Sequence, residues 1–186
     1  MTDNDFTVRT LTPGQEFQIN RHTVIESFKT YHTRESQGYI LYTVKHKLRP
    51  EYYSRSGNEL KELKQQGHEI TRRIRIPEIA ITGDMKFQTL LQNEELKRVK
   101  VLVMEMTFLD GHVSVKEARA RGHVHVEEVW RNWKWFESVD KVLFTHFSAR
   151  YTKEGIEEVV KKRLGDEVGK KVWLMSGADL KEIKTV

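Results

Sequence analysis

Four short apolar runs are spaced along this chain from residue 78 onward, and helical patterns fill most of the intervals between them. The runs are Glu78-Ile-Ala-Ile-Thr82, Lys100-Val-Leu-Val-Met104, Lys141–Thr145 and Lys171–Met175, each about a buried strand in length. Ser114 to Arg121 reads as a helix, with Ser114 as its cap and Glu117 completing a capping box. A second helix is predicted from about Val126 to Phe136, and an amphipathic one from Thr152 to Arg163. Strands that alternate with helices must bury their faces in layers, so the class is α/β with a layered sheet. Upstream, residues 8–28 read as short strands around the turn Pro13-Gly14, with Thr23–Phe28 one of them and Gln37–Val44 the next.

A chain of 186 residues can bury one sizeable core, so residues 1–186 are read as one domain. Lys45 to Arg75 departs from it. The segment is dense in Lys, Arg, Glu and Gln, with a short helical pattern over Asn58–Gln66, and reads as an inserted arm or long loop. No apolar run approaches the ~20 residues a membrane span needs, which argues against a membrane partner. The acidic, polar start Met-Thr-Asp-Asn-Asp-Phe is neither a secretory signal nor an Arg-rich transit peptide. With zero cysteines, disulfides and thiolate metal sites are excluded, and a cytoplasmic location is compatible. The net charge of +5 permits an anionic partner, nucleic acid included.

Three of the apolar runs deliver a titratable residue at the carboxyl end: Asp84, Glu105 and His146. Singly each has a plain reading: Asp84 as a helix cap, Glu105 as a solvated strand end, His146 as a half-buried histidine. Together at one sheet edge they form a Cys-free pocket suited to zinc, manganese or a related divalent ion. Loop residue His32 and inter-helix residue His123 carry the same kind of group, and Glu105 could orient the His123 imidazole. His125 is either part of that set or the cap of the next helix. His22, His46, His68 and His112 are read as surface residues.

These segments, in this order, resemble the carboxyl-terminal half of ribonuclease Z in the metallo-β-lactamase fold, nearest the plant and cyanobacterial type. Phe28-Lys-Thr-Tyr-His-Thr-Arg-Glu-Ser-Gln-Gly-Tyr39 resembles the loop of a metal-binding histidine, which implies that role for His32. Ile81-Thr-Gly-Asp84 resembles the motif of the metal-bridging aspartate, with Met85 where threonine is usual. Val103-Met-Glu-Met-Thr-Phe108 and Ala118-Arg-Ala-Arg-Gly-His123 resemble the motifs of the catalytic glutamate and the histidine that protonates the leaving group, here Glu105 and His123. Phe144-Thr-His-Phe-Ser-Ala-Arg-Tyr151 resembles the last metal-binding motif, with His146 as ligand. The resemblance also implies that the insert is a tRNA-binding arm. Its Lys45, Lys47, Arg49, Arg72, Arg73 and Arg75 would grip phosphates, and Tyr52 and Tyr53 are available for stacking.

The family's His-x-His-x-Asp-His motif is nowhere in the sequence. His32, Asp84 and His146 can hold at most one ion, so a two-ion centre needs ligands from elsewhere: a missing half, a partner chain or another copy. Half of the fold would also leave an apolar sheet face uncovered, which predicts association. The resemblance implies a metal-dependent endoribonuclease acting at the 3′ side of precursor tRNA. The alternatives are a non-catalytic binding or assembly subunit, and a phosphodiesterase for another substrate such as a cyclic nucleotide.

Overall fold

The computed structural model describes residues 8–165, 170–176 and, as backbone, 179–182. Eight strands lie in one sheet in chain order: β1 (Glu16–Asn20), β2 (Thr23–Lys29), β3 (Gln37–Leu48), β4 (Thr71–Ile81), β5 (Val101–Glu105), β6 (Lys141–Thr145), β7 (Val172–Ser176) and β8 (Asp179–Glu182). β1 to β4 form an antiparallel meander, β4 to β7 run parallel, and β8 returns antiparallel along β7. The parallel part matches the apolar runs, because strands joined by crossovers must be covered on the face the helices pack against.

The helices are α1 (Gly57–Gln65), α2 (Gln88–Leu91), α3 (Val115–Arg121), α4 (Val126–Arg131) and α5 (Lys153–Leu164). Ser114 caps α3 as predicted: its hydroxyl accepts from the Glu117 N–H, and Glu117 accepts from the Ser114 N–H at 2.8 Å. Thr152 caps α5 by accepting from Gly155 N–H. The helix expected over 126–136 ends at Asn132, and Trp133–Phe136 continues as a 3-10 turn that buries Phe136 in the core.

Of the two readings of 45–75, an inserted arm or a long loop, the loop does not hold at the ends of the segment. β3 runs on to Leu48 and β4 begins at Thr71, paired from Leu48↔Thr71 to Val44↔Arg75, so the ends of the arm are a two-stranded ribbon. Only residues 49–70, with a 3-10 turn at Pro50–Tyr52 and α1, lie outside the ladder. The reading failed because the ribbon extends past the core. There neither face needs to be apolar, and the alternation that marks a strand is lost.

The core lies on one side of the sheet. Ile40, Tyr42, Ala80, Leu102, Met104, Val142, Phe144, Val172 and Leu174 pack there with Leu90, Val126, Val129, Ile156 and Val160 from the helices. The opposite face is also apolar. Across the ladders, Ile25↔Leu41↔Ile79↔Val101 form one row and Tyr39↔Ile81↔Val103↔Leu143↔Trp173 a second. None of these residues belongs to the core cluster, and Tyr39 and Ile81 are 38% and 52% exposed. Among the described residues the helices cover one face of the sheet, and the two apolar rows on the other face are half-buried to exposed apart from Leu143, as expected for half of the fold.

Candidate metal centre

The site forms where parallel strands end and hand over to loops. β4 leads through Thr82 and Gly83 to Asp84, β5 ends at Glu105, and His146 follows β6. The His32 loop is tied to the Asp84 loop by Lys86 N–H donating to Tyr31 O and by Tyr31 N–H donating to Thr89 Oγ1 at 2.9 Å. His123 follows α3, whose last turn closes on Gly122.

Glu105 is the buried anchor, 1% exposed. It is not the solvated strand end that its position suggested. Its Oε1 accepts from Met85 N–H at 2.6 Å and faces His123 Nδ1 at 3.0 Å. Its Oε2 accepts from Thr107 Oγ1 at 2.5 Å and Val124 N–H at 3.2 Å. A buried carboxylate needs such partners, because an unpaired charge is costly away from water. Met85, where threonine is usual in the resembling motif, still gives Glu105 a backbone donor, and its side chain fills the core.

The same bonds fix the imidazole tautomers. An ionised carboxylate only accepts, so His123 carries a proton on Nδ1. The hydrogen bond to Glu105 holds this imidazole above its ordinary pKa, against desolvation. Thr107 spends its hydroxyl proton on Glu105, so its oxygen accepts from His146 Nδ1–H at 3.0 Å. His32 Nδ1 lies 2.9 Å from Gly122 O, and a carbonyl also only accepts. His32 and His146 therefore keep an Nε2 lone pair for a ligand, the arrangement that backed metal-binding histidines show, whereas His123 does so only when neutral and otherwise carries a second proton on Nε2.

The rings are gathered around a common space. His123 stands 5.1 Å from His32 and 5.3 Å from His146, centroid to centroid. His146 Nε2 is 3.5 Å from Asp84 Oδ1. Two sets have ligand atoms mutually within 4.8 Å: His32, Asp84 and His123, and Glu105, His123 and His146. His123 belongs to both, whereas the predicted ligands do not form one such set among the described residues: His32 and Asp84 fall in the first and His146 in the second. The donors are imidazole nitrogen and carboxylate oxygen, which suits a borderline divalent ion. Asp84 caps no helix; the N-cap of α2 is Phe87.

His146 has φ 57°, the one non-glycine residue at positive φ among the described residues. Such a conformation is held against a steric cost. His125, the ambiguous residue, caps α4: its Nδ1 accepts from Glu127 N–H at 3.1 Å. His22, His46, His68 and His112 are exposed. Sequence reasoning missed Thr107 and Gly122, although Thr107 carries a signal: it lies two residues past Glu105, on the same side of an extended chain.

Histidines and carboxylates at the carboxyl ends of strands in a helix-backed sheet define a metallo-β-lactamase-like class. The chain matches the metallo-β-lactamase fold protein YhfI of Bacillus subtilis with a TM-score of 0.53, over 92% of this chain and 54% of that one, at 13% identity. In sequence it is 46% identical over 149 residues to tRNase Z TRZ1 of Arabidopsis thaliana, covering 79% of this chain and 53% of that protein. It is 41% identical over 164 residues to the chloroplastic tRNase Z TRZ2 of the same plant, covering 87% and 46%. The chain belongs to the tRNase Z family. It spans about half the length of the curated relatives it matches. No protein-family model matches it.

Proposed function

We propose that this chain is the acid-bearing half of a metal-dependent endoribonuclease that cleaves precursor tRNA at its 3′ side. The observation that carries the reading is the set of three histidines, each backed on Nδ1, gathered beside Asp84, whose Oδ1 lies 3.5 Å from His146 Nε2. His32, Asp84 and His146 would hold zinc, or manganese in its place, with Asp84 shared where a second ion is present. A divalent ion there supplies a Lewis acid for the phosphate and lowers the pKa of a bound water.

The chain's own residues handle the leaving group. Glu105 favours the protonated form of His123 and orients it. As the P–O3′ bond breaks, His123 Nε2 gives its proton to the departing 3′-oxygen. The imidazole is then neutral, with Nδ1–H still on Glu105.

The basic ribbon would grip the RNA. Arg73 and Arg75 bond Glu16, Arg75 also bonds Glu26, and Arg49 bonds Glu69. Lys45, Lys47 and Arg72 stand exposed on one face, Lys47 opposite Arg72 across the ladder, with Tyr53 exposed at the tip. We assign phosphate contact first to those three and a supporting role to the other arginines.

The donor set is too small for a two-ion centre, so the remaining ligands come from outside this sequence: the missing half of the fold, a complementary chain, or a second copy seated on the apolar sheet face. The short ligand set also favours the second reading, a non-catalytic binding subunit. No helix among the described residues is long and apolar enough to cross a membrane. The cytoplasm is the proposed compartment, with the chloroplast as its rival because one relative is chloroplastic. The test is cleavage of 3′-extended precursor tRNA with zinc or manganese, by the chain alone and mixed with the amino-terminal half of a tRNase Z relative. Cleavage in the mixture, lost with His123→Ala, supports the enzyme. Tight tRNA binding without cleavage in either sample supports the binding subunit, and cleavage of a cyclic nucleotide alone redirects the substrate.

A further inference from the structure

Two glycines follow helices in the left-handed conformation: Gly67 after α1, at φ 86°, and Gly122 after α3, at φ 92°. Ending a helix is the ordinary use of such a glycine. The two differ in what surrounds them. A Cβ on Gly67 would meet nothing within 4 Å, whereas one on Gly122 would lie 2.4 Å from His32 Nδ1, 2.7 Å from His32 Cε1 and 3.0 Å from Thr33 N. The Gly122 carbonyl is also the acceptor for His32 Nδ1, at 2.9 Å.

We propose that Gly122 is the positioning residue for His32: its missing side chain admits the imidazole, and its carbonyl fixes the tautomer that leaves Nε2 to bind metal. Glu105 backs His123 directly and His146 through Thr107, but it does not reach His32. Gly122 fills that gap and is bonded in the chain to His123. One backbone unit thus sets the spacing between His32 and the proposed acid. Any L side chain at 122 pushes the ring out of this seat. The proposal deepens the metal-site reading given above and rests on it for the role of Nε2.

The test compares Gly122→Ala with Gly67→Ala, which carries the same conformational strain in open space. The wild-type chain, metal-free and 15N-labelled, is examined by multiple-bond imidazole NMR above the histidine titration range. His32 is expected in the Nδ1–H form. Zinc affinity measured by chelator competition should fall ~10–100-fold in Gly122→Ala and stay at the wild-type value in Gly67→Ala. An Nε2–H His32 in the wild type overturns the proposal, as does a folded Gly122→Ala that binds zinc like the wild type. If Gly122→Ala does not fold, the wild-type tautomer decides. Failure of the wild type to bind zinc would instead overturn the metal-site reading, while the tautomer still reports on Gly122.

Discussion

One carboxylate, Glu105, organises two of the three histidines, and it does so from a nearly sealed position. The hydroxyl of Thr107 carries its influence to His146. Thr107→Val keeps the shape and removes that link, leaving His146 Nδ1 unbacked and Glu105 one donor short. We expect a stability loss of ~1–3 kcal/mol in chemical denaturation and at least ~10-fold weaker zinc binding. Wild-type values for both would show that the hydroxyl is idle. A second prediction concerns pH. Glu105 raises the His123 pKa above its ordinary value, ~6.5, so this bond stabilises the fold below about that pH. The contribution fades as pH rises through the folded value. Glu105→Gln should lower the His123 midpoint in an NMR titration of the metal-free protein, and an unmoved midpoint would contradict the assignment. At this scale the sequence disclosed residue types in a telling order: His32, Asp84, Glu105, His123 and His146. It could not disclose which ring nitrogen each imidazole presents, because that depends on acceptors such as Gly122 O and Thr107 Oγ1 brought close only by folding.

Among the elements, those with local rules were legible and those set by tertiary pairing were not. Ser114-x-x-Glu117 announces α3 and Thr152 announces α5, because capping is a contact between residues three apart. β8 has no such signature and exists as a partner for β7. The β3–β4 ribbon was read as a loop because Lys45, Lys47, Arg72 and Arg73 face water. Its register separates charges tied to the body from charges free of that tether: Arg73 and Arg75 anchor its base to Glu16, while Lys47 and Arg72 project together. Lys47→Glu with Arg72→Glu should therefore weaken precursor-tRNA binding and reduce the slope of log affinity against log salt by about two. An unchanged slope would remove the ribbon from the RNA surface.

The whole molecule is a sheet with helices on one side and two apolar rows on the other. This much was legible, since matching half of a layered fold predicts one uncovered apolar face; the residues that line it were not, because they depend on the register between strands. The rows from Ile25 to Val101 and from Tyr39 to Trp173 cross the sheet, too continuous to be scattered surface residues. Ile81 is half exposed in the second row, between Tyr39 and Val103, beside the strand end that carries Asp84. Ile81→Lys should abolish association in sedimentation experiments while leaving the helix-side core intact, and continued association would place the interface elsewhere. On the proposed function this chain holds half of a metal centre, and association supplies the rest when the missing half lies on another chain or copy. Native mass spectrometry of the purified protein titrated with zinc reads mass and metal content together. The account predicts an assembly larger than one chain that retains zinc through gentle activation, with Asp84→Ala losing the metal. A monomer that takes up no zinc at any concentration would contradict it.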